Sequence, residues 1–131
     1  MKLTTQQYYD LLVKTSESGG FPATDTSGAC LYRAPGGRKC AIGLLIPDEL
    51  YKASMDNEGF DKEVKYKNDV QTAISGTTPD SMTLNDLTDI QKSHDDTAFA
   101  YQWTQWSHTE FVNKLNSLHC FTSVTKAQVA A

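Results

Sequence analysis

The chain is poor in basic residues, in cysteine and in apolar runs. Twelve Lys and Arg stand against sixteen Asp and Glu, giving a net charge of −4. That deficit argues against coating nucleic acid and against binding an anionic membrane, both of which need a cationic surface. The longest apolar run, Ala41 to Ile46, is interrupted by Gly43 and is too short to span a bilayer. Met1-Lys2-Leu3 passes directly into Thr4-Thr5-Gln6-Gln7, where a secretory signal would need an apolar stretch. Three cysteines make no disulfide framework. A reducing bacterial cytoplasm with free thiols is the expected compartment, and one Cys30–Cys40 bridge is the secreted alternative. The G-x4-G-K-[ST] spacing of a phosphate loop is missing. So is the short C-x2–4-C knuckle that pre-forms half a zinc site.

What is present concentrates in residues 30–51. This stretch holds two of the three cysteines and two of the four prolines, beside Arg33, Arg38 and Lys39. Pro35-Gly36-Gly37 predicts a turn. Proline suits its second position, and a glycine can take the left-handed position that closes a three-residue loop. The resulting hairpin pairs Arg33 with Lys39 and Tyr32 with Cys40, and places Cys30 and Cys40 on one face.

The remaining pattern is helical. Thr4-x-x-Gln7 reads as a capping box opening a helix over Thr5 to Ser16. Pro47-Asp48-Glu49 reads as the first turn of a short helix. Asp61 to Ser75 and Thr83 to Asp96 read as two more helices, the second with Leu84, Leu87, Ile90, Gln91 and His94 on one face. Ser107-x-x-Glu110 opens a last helix that buries Phe111, Val112, Leu115 and Leu118. These elements predict an α+β fold: a mostly helical single domain, four to five helices packed around one β-hairpin. Residues 1–121 form the domain, and 122–131 form a frayed tail.

The block Cys30-Leu31-Tyr32-Arg33-x-x-Gly36-Gly37-x-Lys39-Cys40-Ala41-Ile42-Gly43, running on to Leu45-Ile46-Pro47-Asp48-Glu49-x-Tyr51, resembles a group of small uncharacterised bacterial and phage proteins. Leu87-x-x-Ile90-Gln91-x-x-His94-Asp95 resembles a second segment of that group. The resemblance implies a cytoplasmic protein of phage or mobile-element origin, and it implies no activity.

Three constellations could carry function. Cys40 could be a nucleophile beside Arg38 and Lys39, with His94 as its base, in a hydrolase or transferase. Asp95 is not expected to orient His94, because consecutive helical residues point about 100° apart. Cys30, Cys40 and His94 could instead ligate zinc, with His119 or Cys120 as a fourth ligand, and otherwise no cofactor is expected. Buried thiols and a hydrogen-bonded core histidine are the plainer readings. Asp95 and Asp96 oppose the dipole at a helix end, so a pair between Arg33 and one of them is expected.

The basic tip, Arg33, Arg38 and Lys39 with Tyr32, is the third constellation and suits an anion. Trp103 and Trp106, in the aromatic segment 99–111, could join it as a partner surface or a homo-oligomer contact. The expected function is a non-enzymatic binding or inhibitory protein that engages a host protein or a small anionic ligand through the tip and the aromatic loop.

Overall fold

The computed structural model describes residues 2–24, 31–57, 68–100 and 106–129, without the side chains of 57, 99 and 100. Four helices form in the described residues: α1 (Thr5–Glu17), α2 (Asp69–Ile74), α3 (Leu84–Ala100) and α4 (His108–Asn116). The start of α1 is fixed by its box. The Thr4 hydroxyl accepts the Gln7 N–H at 3.1 Å, and the Gln7 side chain accepts the Thr4 N–H at 2.9 Å. Thr83 and Asp86 make the same reciprocal pair ahead of α3, at 3.1 and 3.0 Å. Each pair satisfies two backbone donors that the first helical turn leaves without partners.

Helices α1, α3 and α4 pack together, α4 touching both of the others. Their apolar faces supply Tyr8, Leu12, Leu87, Ile90, Phe111 and Leu115, all fully or almost fully buried. Ile42 and Leu45 enter the same core from the middle segment, and Phe121 from the turn after α4. Polar latches hold that middle segment down. The Tyr8 hydroxyl donates to the Ala41 carbonyl at 2.8 Å, and the Thr77 hydroxyl donates to the Leu45 carbonyl.

No strand forms in the described residues, so the expected α+β fold with its β-hairpin is replaced by a helical one. Arg33 and Lys39 meet in an isolated antiparallel bridge, and the Ala34 N–H reaches the Arg38 carbonyl at 2.8 Å around a 3₁₀ turn over Pro35–Gly37. Pairing stops there because the flanking amides are committed elsewhere. The Tyr32 N–H, which would face Cys40, bonds to the Asp56 carboxylate at 2.7 Å, and the Cys40 carbonyl takes the Leu44 N–H at 3.1 Å. On the other arm Ile42 turns into the helical region, and a 3₁₀ turn winds over Gly43–Leu45. A ladder needs free backbone groups on both arms.

Of the helix expected over 61–75, residues 61–67 lie outside the described residues and 69–74 form α2. The Pro47 segment makes a single 3₁₀ turn, Asp48–Leu50. The tail expected to fray has Thr125 and Ala127 hydrogen-bonded to side chains of α1.

Candidate functional site

Residues 35–38 of the Pro-Gly-Gly turn are exposed, and Gly36 and Gly37 hold φ of +84° and +81°. Such a pair of left-handed positions is cheap only for glycine. The base of the turn is anchored by Arg33. Its Nη2 donates to the Ile46 carbonyl at 2.9 Å and sits 2.8 Å from the Asp48 carboxylate, and its guanidinium lies 4.8 Å above the Tyr51 ring. The Tyr51 hydroxyl donates to Asp56, whose other oxygen takes the Tyr32 N–H. Tyr51 is pushed up to about 12, by loss of solvent first and by the Asp56 bond second.

Lys39 Nζ also reaches Asp48, at 3.4 Å. That hydrogen bond, followed by the charges of Lys39 and Arg33, holds the Asp48 carboxyl below its ordinary range. The expected pair of Arg33 with Asp95 or Asp96 therefore gives way to Asp48. Asp48 stands on the turn just after Ile46, within reach of the tip, while Asp95 is engaged on its own helix. Arg38 differs from its neighbours. It is exposed, and its Nη1 touches the Pro22 carbonyl at 3.3 Å.

His94 sits on α3 with no exposed surface. Its Nε2 accepts the Ala23 N–H at 3.2 Å, and its Nδ1 lies 2.9 Å from Asp95 Oδ1. An amide can only donate, so Nε2 offers its lone pair and the ring proton sits on Nδ1, aimed at Asp95. Gln91 completes the network. Its Nε2 donates to the same Asp95 oxygen at 2.8 Å, and its Oε1 accepts the Ile42 N–H at 3.1 Å. The expectation that Asp95 could not orient His94 is corrected. The 100° step separates the Cβ directions, whereas Nδ1 and a carboxylate oxygen on adjacent residues can still swing together.

The aromatic rings surround this histidine. Phe21 lies 5.1 Å and Trp106 5.5 Å from the His94 ring, and Phe111 lies 5.0 Å from Trp106. The Trp106 indole donates to Ser16 Oγ at 2.8 Å, and Ser16 meets His108 Nδ1 at 2.7 Å. Trp106 is thus half-buried in the core wall. Tyr32 is buried at the base of the turn, so its ring is not open to a ligand. Trp103 and Cys30 lie outside the described residues.

Cys40 is buried, and its Sγ accepts the Gly43 N–H at 3.3 Å. Burial pushes the thiol up to about 12; the Gly43 amide lowers it and nearby Asp95 raises it further. A nucleophile or a metal ligand must be the thiolate. Cys120 is also pushed up to about 12, by burial and then by Asp86 and Asp89. Among the described residues no group of three or more His, Cys, Asp and Glu is placed to hold a metal ion.

Comparison with family models, curated proteins and solved structures gives no match. No helix among the described residues is long and apolar enough to cross a membrane. Sequence reasoning missed the Ser16–His108–Trp106 chain and the side chains that grip the tail. Ser16 lies about 90 positions from both Trp106 and His108, and Gln6 lies 119 from Thr125, so no local spacing reveals them.

Proposed function

We propose that this chain is a non-enzymatic binding protein that engages an acidic surface of a host protein, in the host cytoplasm, through the tip at residues 35–39. One observation carries the reading: the stem of the turn is held from several sides while its end is exposed. Arg33 is fixed to Ile46, Asp48 and Tyr51, and Tyr32 to Asp56, whereas residues 35–38 face solvent. A pre-ordered loop loses little conformational entropy on binding. Arg38 supplies a forked donor suited to carboxylates. Asp48 partly neutralises Arg33 and Lys39, which makes Arg38 the leading cation of the surface.

The alternative of a Cys40–His94 hydrolase is weakened by the buried, protonated thiol and by the Ala23 amide seated on the histidine Nε2. The test is affinity capture of a host partner by wild type, Arg38→Glu and Lys92→Glu, the last a matched charge change on exposed α3 surface. A partner retained by wild type and Lys92→Glu but lost by Arg38→Glu is the expected result. Equal retention by all three, or equal loss by both variants, rejects the tip.

A further inference from the structure

Pro22 and Ala23 share one peptide unit, and both of its polar groups are held. The Pro22 carbonyl accepts Arg38 Nη1 at 3.3 Å, and the Ala23 N–H donates to His94 Nε2 at 3.2 Å. A planar peptide points these two groups to opposite sides. One amide therefore stands between the exposed Arg38 of the turn and the fully buried imidazole of α3. The bonds run in a single direction. Arg38 donates to the peptide, the peptide donates to Nε2, and Nδ1–H donates to the Asp95 carboxylate at 2.9 Å. Hydrogen bonds aligned in this way polarise and strengthen one another. The next carbonyl, of Ala23, has its own partner, the Leu31 N–H at 2.9 Å.

We propose that His94 is a proton-operated latch on Arg38. Nε2 has one lone pair, and the Ala23 N–H and a proton compete for it. Once Nε2 carries a proton, two N–H donors face each other and their bond is lost. The Pro22–Ala23 peptide then rotates to give its carbonyl to the new Nε2–H, which takes that carbonyl from Arg38. Imidazole is the side chain whose ordinary protonation falls between pH 5 and 8. Asp95 offsets the charge of the imidazolium, since it adjoins Nδ1 and 42% of its side chain is open to water. Among the described residues, the groups that face the ring from other elements are uncharged near neutral pH. Phe21 comes from the loop that holds the peptide, and Trp106 from the segment ahead of α4. The Cys40 thiol of the middle segment feels the Asp95 charge, but it is pushed up to about 12 and stays protonated. On α3 itself, Gln91 beside Nδ1 is a neutral amide. His108 of α4 is a second imidazole, joined to Trp106 through Ser16. The latch acts on the surface proposed above, whose reading rests on a pre-ordered turn, and acid loosens that turn.

The test follows the isotopically labelled full chain by NMR, without a partner, from pH 8 down to pH 5. At pH 8 the ring nitrogens of His94 should show the proton on Nδ1, and at pH 5 on both. Over the same range the protection of the Ala23 amide against hydrogen exchange should fall roughly tenfold or more through local opening. Its midpoint should coincide with that of the His94 ring, and the Arg38 Nε–H resonance should move with it, while the Leu115 amide of α4 keeps its protection. His94→Gln gives the Ala23 N–H an oxygen acceptor that takes no proton in this range, and should hold both Ala23 and Arg38 constant. Ala23 protection that stays constant in wild type, changes at a midpoint other than that of the His94 ring, or falls equally in His94→Gln overturns the proposal. An Arg38 resonance indifferent to the transition overturns it, because the tip is then not coupled. Parallel loss of protection at Leu115 is global unfolding and also overturns it. If His94→Gln does not fold, the coincidence of ring and Ala23 midpoints in wild type decides. The readout needs no bound partner, so a failed latch leaves the capture experiment on the tip standing, and a failed capture leaves the latch.

Discussion

At Gly43 the chain has no room for a side chain. A Cβ there would lie 2.1 Å from the Tyr32 carbonyl oxygen, and that oxygen belongs to backbone, which cannot swing aside. Gly43→Ala is expected to cost about 1–3 kcal/mol through overpacking, read as a lower urea midpoint. Gly36→Ala meets nothing within 4 Å, but it forces alanine to φ +84°. Its cost, about 1–2 kcal/mol, comes from the left-handed backbone alone. A Gly43→Ala midpoint equal to wild type would show that the middle segment does not press on Tyr32 as described. Residue types alone distinguish neither case. Gly36 reads as a turn glycine and Gly43 only as a break in an apolar run, and only the approach of two distant backbones tells the crowded position from the open one. The same holds for His94, whose place on the buried face follows from the helical period, while its bond to Asp95 depends on how two adjacent side chains rotate.

Among the elements, the helices were the most legible. The capping box at Thr4 and the recurrence of Tyr8, Leu11, Leu12 and Thr15 are local signals, and α1 runs from Thr5 to Glu17. Thr4→Ala leaves the Gln7 amide without its side-chain partner, and should cost about 1 kcal/mol, visible as a depressed thermal midpoint. An unchanged midpoint would mean that tertiary packing alone sets the start of α1. The middle segment was the least legible. Its turn chemistry brings Arg33 opposite Lys39, but whether two arms become strands depends on where their other amides bond. Those partners, Asp56 for the Tyr32 amide and Leu44 for the Cys40 carbonyl, are set by how the chain folds beyond the turn. The tail carries no periodicity because its neighbours contact its backbone, and backbone leaves no mark in a sequence.

The whole molecule should be sensitive to alkali. Cys40 and Cys120 are both pushed up to about 12 from an ordinary value of 9, and burial raises Tyr8 well above its ordinary value of 10.0. Each group is raised on folding, so the folded chain holds protons that the unfolded chain has begun to release. The sign follows: the stabilisation is full below pH 9 and is lost as pH rises from 9 towards 12. The contribution of Cys40 should fall by about 1.4 kcal/mol per pH unit across that window. Urea titrations at pH 8, 9, 10 and 11 would measure the slope, and Cys40→Ala should flatten it. A slope unchanged by Cys40→Ala would mean that the thiol is open to water in the native state.

One consequence concerns light rather than chemistry. The chain has two tryptophans, Trp103 and Trp106. The second is bonded to Ser16 at the end of α1, stands two residues before α4, and lies ring-to-ring with His94 of α3. With Trp103 replaced by phenylalanine, the emission of a single indole would report the docking of all three core helices. The protein carries its own fluorophore at the place where those helices meet.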